Sequence, residues 1–338
     1  MKYPLSPDVM PEFCTTGSFM RLPSSRENAK LAVIGMPFDT AASFRVGARF
    51  APQAVRQASM TLFPYHPIHK VFPFDECNAI DIGDVSVIPH NIHRSYELIE
   101  KAMADLMKNG IIPIGIGGDH SVTLANLRAA AKIHGPVALL HFDSHTDTWD
   151  TYYDEKYWHG SPFIRAYEEG LLQTDKVFQI GIRGTLNHPG DIDSSTDLGY
   201  NVITTPELKK RGIEDVVKEV KKTIGDTPCF LTFDIDFVDP SCAPGTGTLE
   251  VGGLNSFETL EMIRSLQGFN FIGFDLVEVL PPYDPTQITS LLAATIIHDF
   301  ASLVALRLKE EQKKENSAEK VYRSKHRQLM KGHFRSKL

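Results

Sequence analysis

The stretch that decides the fold is VALLHFDSH, residues 137–145, which runs on through TDTW to residue 149. Its opening is almost continuously apolar, as in a strand buried on both faces of a parallel sheet. It then delivers Asp143, His145 and Asp147, three residues able to bind a metal, spaced two apart. Residues i, i+2 and i+4 of a strand point to one side. Strand alternation therefore predicts two carboxylates and an imidazole on one face.

Seven further runs share this β-rich character. They are KLAVIGMPF (30–38), NAIDIGDV (78–85), IIPIGIGG (111–118), VFQIGIR (177–183), NVITT (201–205), CFLTFDIDF (229–237) and FIGFDLVEV (271–279). Helical patterns lie between many of them. SYELIEKAMADLMKNG (95–110) has apolar residues at helical spacing and ends on Gly110, a residue suited to C′. SVTLANLRAAAKIHG (121–135) begins with a candidate capping serine and ends on Gly135. FETLEMIRSLQ and the segment from about Gln287 to Leu308 read as helices too. The alternation predicts an α/β chain: a three-layer α/β/α domain with a mostly parallel eight-stranded sheet.

No internal repeat or linker divides residues 1–308, so they read as a single domain. Residues 309–338 differ. Ten Lys/Arg stand against four Glu there, a local balance of +6, which leaves the rest of the chain near −13. This basic C-terminal tail reads as helical or disordered. The whole chain carries −7, with 42% hydrophobic and 23% charged residues. That permits a sizeable core and argues against a general nucleic-acid binder. Cys14, Cys77, Cys229 and Cys242 form no CxxC pair, as for thiols in a reducing compartment. MKYPLSPDVM has no apolar signal core, and no run approaches about 18 apolar residues. The expectation is a cytoplasmic protein with no membrane span and no nucleic-acid partner.

Ligands of open α/β sheets bind outside the carboxyl ends of the strands. Here the third run ends in GGDHS, offering His120. The fourth offers Asp143, His145 and Asp147; the seventh, FDIDFVDP, offers Asp234 and Asp236; the eighth offers Glu278. Five acidic groups at one edge would repel, since burying unpaired charge costs several kcal/mol each. Cations remove that cost. The set holds no thiolate, which argues against structural zinc. Four carboxylates and two imidazoles suit two divalent ions about 3.5–4 Å apart, able to share one hydroxide. Mn²⁺ is the first choice; Ni²⁺, Co²⁺ or Fe²⁺ fit the same donors.

These motifs resemble those of the ureohydrolases, the family of arginase, agmatinase and the guanidino-acid hydrolases. The resemblance runs from about Lys30 to Leu306. It includes GGDHS, DSHTDT and TFDIDFVDP, and also VGARFAPQAVR (46–56), WHGSPF (158–163), QIGIRG (179–184) and APGTGTLEVGGL (243–254). It implies that His120, Asp143, His145, Asp147, Asp234 and Asp236 hold two metals, with Asp143 and Asp234 bridging. It assigns His159 to proton shuttling or substrate orientation and Glu278 to gripping a guanidinium. The implied reaction splits a small guanidino compound into urea and an amine. Asp147 would protonate the leaving amine and His159 would restore the resting state. The implied assembly is a homo-oligomer, a trimer or hexamer.

Agmatine is the expected substrate. Trp149 stands where arginase has an asparagine that helps hold arginine, and its indole offers only one N–H. Trp149 and Trp158 could instead shorten the pocket for 4-guanidinobutyrate, 3-guanidinopropionate or guanidine. A carboxylate substrate would call for a basic residue, with Arg165 and Arg183 as candidates. Intact ligands count against two rivals, a single-zinc deacetylase and a non-catalytic metal-binding member of the family.

Overall fold

The computed structural model describes Cys14, residues 17–186 and residues 188–335, with side chains described up to residue 314. The segment MKYPLSPDVM and most of the tail's side chains lie outside the described residues.

All eight expected strands are present: β1 Leu31–Met36, β2 Ile80–Asp84, β3 Ile112–Gly117, β4 Val137–Phe142, β5 Leu172–Ile182, β6 Asn201–Thr204, β7 Cys229–Asp234 and β8 Phe271–Val277. They form one sheet in the order β2-β1-β3-β8-β7-β4-β5-β6, and every pairing is parallel. The apolar runs explain this directly. Ala138, Leu140 and Phe142 of β4 enter one core cluster, while Val137 and Leu139 enter the other. Helices Ile92–Lys108 and Val122–His134 cover the second cluster. Helices Ala51–Ala58, Ile213–Ile224, Ser256–Arg264 and the start of Ile288–Arg335 cover the first. The sheet is thus dry on both faces, as parallel sheets require.

Helix starts were harder to read. Ile92–Lys108 begins before Ser95 because the Asn91 side chain caps it, accepting from Arg94 N at 3.0 Å. Ser121 does not cap the next helix; its hydroxyl donates to Asp119 at 2.5 Å. The last helix runs from Ile288 to Arg335 without a break, well beyond Leu308. Within its Ile288–Lys314 portion an 18-residue window has a mean hydropathy of 1.6, long and apolar enough to cross a membrane by composition. Yet 72% of that window is buried, with Leu292, Ile296, Ile297 and Phe300 facing the core. Core burial accounts for its apolarity, which a count of consecutive apolar residues did not register.

A buried polar group ties this helix to the segment around Phe63 and His66 and to the end of helix Ser256–Arg264. His66 Nε2 lies 2.5 Å from Asp299, Arg264 donates to the other Asp299 oxygen at 3.0 Å, and His298 Nε2 donates to Phe63 O at 3.2 Å. Burial pushes His298 down to about 4, with Asp299 only partly offsetting it. The unfolded chain therefore takes up a proton near pH 6.5 that the folded chain refuses until about pH 4. Stability is full above pH 6.5 and falls as the pH drops toward 4. Chemical denaturation between pH 7 and 4 should show His298→Gln losing up to about 3 kcal/mol of that acid slope. An unchanged slope would mean that His298 is not the group responsible.

Candidate active site

The four strands that end in candidate ligands are neighbours at the centre of the sheet: β3, β8, β7 and β4. After β3 the chain turns hard against β1. Gly118 N donates to Met36 O, and a Cβ on Gly118 would lie 1.8 Å from Phe38 O. Only glycine fits there, and the turn drops His120 into the site, fully buried.

The carboxylates close around two imidazoles. His120 Nδ1 lies 3.0 Å from Asp143 Oδ2, 3.0 Å from Asp147 Oδ2 and 3.3 Å from Asp234 Oδ2. His145 Nδ1 lies 3.1 Å from Asp236 Oδ2 and 3.5 Å from Asp143 Oδ1. Asp143 therefore offers one oxygen to each histidine. Asp234 faces His120 with Oδ2 and accepts the Asp236 N–H on Oδ1 at 2.8 Å. All six expected ligands come together.

Strand alternation is not what aligns Asp143, His145 and Asp147. β4 ends at Phe142, so all three lie in the following loop. His145 N donates to Asp143 Oδ1 at 2.7 Å, and Asp147 has φ +49, a left-handed conformation rare outside glycine. Glu278 follows β8 with φ +61. Such strained positions gather where the surrounding fold over-determines them.

The electrostatics ask for cations. Burial opposes charge on His120, yet Asp143, Asp147 and Asp234 raise it well above the usual imidazole range. His145 is likewise raised against burial by Asp236 and Asp143. Burial pushes Asp234 well up, reinforced by the charges of Asp236 and Asp143. Asp143 goes the other way: burial would raise it, but His141, His120 and His145 hold it well below the carboxylate range. Protons thus balance the metal-free cluster. His120 Nδ1 is buried and lacks a hydrogen bond of sound geometry, although three carboxylates face it. One N–H cannot serve three acceptors. A donor set of oxygens and imidazoles at this density fits divalent ions.

Above this floor lies a cavity of about 330 Å³, lined by His145, Asp147, Asp234 and His159 below and by Trp149, Tyr152, Trp158, Thr248 and Glu250 on its walls. Trp158 stacks on Tyr152 at 4.9 Å and on Trp149 at 6.0 Å. Glu278 is not part of the lining. It lies behind His159, where its Oε1 accepts from His120 N at 2.9 Å and faces His159 Nδ1 at 3.0 Å. Burial would lower His159, but Glu278 outweighs it and pushes the imidazole up to about 9. Ser43 approaches the other ring nitrogen, with its N at 3.0 Å and its Oγ at 2.7 Å.

Neither arginine suggested for a carboxylate substrate reaches the cavity. Arg183 donates to the carbonyls of Phe237, Asp236 and Glu250 and holds the turn after β7 together. Arg165 is buried against Asp150 and Glu168. The sequence reading also missed groups that support the ligands. His141, Gln179, Thr232 and Asp275 are polar, lie inside apolar runs and have no accessible surface. A polar residue within a doubly buried strand was the available signal.

The arginase family model matches residues 29–302. Guanidinobutyrase of Pseudomonas aeruginosa is 42% identical over 301 residues, covering 88% of this chain and 94% of that protein. The mitochondrial agmatinase of Gallus gallus is 42% identical over 284 residues, covering 83% and 84%. The solved proclavaminate amidino hydrolase of Streptomyces clavuligerus superposes with a TM-score of 0.83 at 37% identity, covering 87% of this chain and 99% of that one.

Saturating Mn²⁺ should stabilise the metal-free protein, by about 2.7 kcal/mol for each site at 100 times its Kd. Thermal melts read this as a rise in Tm. Asp143→Ala should abolish the rise, since both histidines share that carboxylate, while Glu278→Gln should keep it. A full Tm rise in Asp143→Ala would remove Asp143 from the metal site.

Proposed function

Starting from a chain that belongs to the arginase family, we propose that its substrate is agmatine, cleaved to putrescine and urea. The enzyme is an amidinohydrolase that splits a small guanidino compound. The choice among such compounds rests on one observation. The cavity wall carries Glu250 and three aromatic rings, and among the described residues no Lys or Arg lines it. A carboxylate and aromatic faces attract an ammonium group and offer a guanidino acid no cationic partner.

Hydrolysis in this family depends on a binuclear metal centre. In our reading His120, Asp143, His145, Asp147, Asp234 and Asp236 would hold the ions, with Asp143 and Asp234 as the carboxylates that would be shared between them. Mn²⁺ is the proposed metal, with Ni²⁺ or Co²⁺ as alternatives that suit the same donors. When bound, such ions would supply Lewis acidity that makes water nucleophilic near neutral pH.

The chain's own residues do the rest. Glu278 accepts two donors on Oε1, and its Oε2 faces the space left by the missing side chain of Gly247. That oxygen is the one available to a guanidinium N–H. An amine leaves only when protonated. Asp147, on the cavity floor, is placed to carry that proton on its carboxylate. His159, kept basic by Glu278, exchanges the proton with the cavity. Trp149 and its stacked partners exclude water around the alkyl chain. Turnover of Glu278→Gln at saturating metal tests the grip, with near-normal turnover removing Glu278 from it.

A homo-oligomer, trimer or hexamer, belongs to the same reading. Phe44, Val46 and Phe50, 71%, 57% and 53% exposed in one short segment beside Ser43, are apolar side chains that a neighbouring subunit would cover. Sedimentation returning only a monomer would remove this part. A cytoplasmic setting is supported by the described cysteines, all free of disulfides. Cell fractionation that finds the protein in another compartment would remove that setting.

Urea release should be measured with agmatine, 4-guanidinobutyrate, 3-guanidinopropionate, arginine and guanidine. Agmatine should dominate, and Glu250→Gln should raise its KM about five-fold with kcat little changed, the effect of losing about 1 kcal/mol of a partly exposed ion pair. Preference for either guanidino acid would overturn the substrate assignment and leave the reaction class intact.

A further inference from the structure

A polar row crosses the sheet directly beneath the ligands. Gln179 on β5 pairs in register with His141 on β4, His141 with Thr232 on β7, and Thr232 with Asp275 on β8. All four are fully buried, and each has an apolar residue on either side of it in its strand. Within the row Gln179 bonds His141, while Asp275 accepts from Thr123 and Asn126, and Gln179 Oε1 and Asp275 Oδ1 have no partner among the described residues.

The hydrogen bonds run in one direction. Gln179 Nε2 lies 2.6 Å from Thr146 O and 3.1 Å from His141 Nδ1. A carbonyl oxygen can only accept, so the amide nitrogen, not its oxygen, must face it. The second amide hydrogen then points at His141 Nδ1, which must be a lone pair. The imidazole proton is left on Nε2, and Nε2 is 2.7 Å from Asp143 Oδ2. The ring cannot turn away, since Phe163 packs on it at 4.1 Å and His120 stands edge-on at 5.2 Å. Asp143 Oδ1 meanwhile accepts His145 N at 2.7 Å. Each oxygen of Asp143 thus has a fixed donor, and the carboxylate is pinned with an oxygen toward each histidine.

We propose that Gln179 and His141 are positioning residues for Asp143. Gln179 fixes the tautomer of His141, and His141 holds Asp143 ready to bridge two metals. The inference rests on the reading of Asp143 as a bridging ligand. It explains why a histidine and a glutamine occupy facing positions in two strands where an aliphatic pair would pack more cheaply. Partners of this kind typically govern metal affinity 10–100-fold.

Two measurements test it. The first uses the wild-type, metal-free protein labelled with ¹⁵N-histidine. NMR should place the His141 proton on Nε2; a proton on Nδ1 overturns the proposal without any variant. The second is Mn²⁺ affinity, read by electron paramagnetic resonance of the free ion. His141→Phe should bind Mn²⁺ about 10–100-fold more weakly, with turnover recovered at saturating Mn²⁺. His141→Gln, whose amide can still donate to Asp143, should recover most of that affinity, and Gln179→Leu should lose part of it. Unchanged affinity in His141→Phe overturns the proposal. Asp143→Ala keeps the two ideas apart. If it loses metal while His141→Phe does not, only the positioning role fails; if it keeps metal, the bridging reading fails first.

Discussion

Four largely buried aspartates, Asp143, Asp147, Asp234 and Asp236, crowd two imidazoles at the floor of the cavity. Like charges at such separations cannot persist in a dry interior without a counter-charge. Much of the central fold answers that constraint. The four strands that end in the candidate groups are adjacent. Arg183 ties down the carbonyls behind Asp236. Gly118 permits the close turn that delivers His120.

The chemistry and the selectivity occupy different layers. The floor is built from strand ends and short turns, where Asp143 and Asp234 each accept from the backbone N–H of a candidate ligand two residues on. Ser144 donates to Asp236, and His145 N to Asp143. The walls come from the 149–160 segment and from Glu250, where contacts are ring stacking and partial exposure. A floor of this kind tolerates little change, while the walls can vary without disturbing it. That division suits relatives named for different guanidino compounds at equal identity to this chain.

The sequence was most legible where one signal sufficed. The apolar runs marked all eight strands, and the six candidate ligands stood at or just past the ends of those strands. Legibility failed where the answer needed register. Gln179, His141, Thr232 and Asp275 lie far apart in the chain, and only the parallel pairing makes them one row. It failed also where spacing imitated a strand. The two-residue rhythm of Asp143, His145 and Asp147 continues past the end of β4, and a turn with a left-handed Asp147 produces the alignment. Arg165 and Arg183 misled because a charge says nothing of where its side chain points.

The ligands also carry a consequence for the order of folding. His120, the Asp143–Asp147 group and the Asp234–Asp236 pair arrive on three different strands, joined through successive crossovers. No short segment of the chain contains the donor set. A metal ion can recognise the site only after long loops have closed and β3, β4 and β7 have taken their places around β8. Metal therefore acts late, as a lock on a sheet already formed. Contacts made only in the assembled state slow unfolding more than they hasten folding, so bound metal should lengthen the lifetime of the folded enzyme.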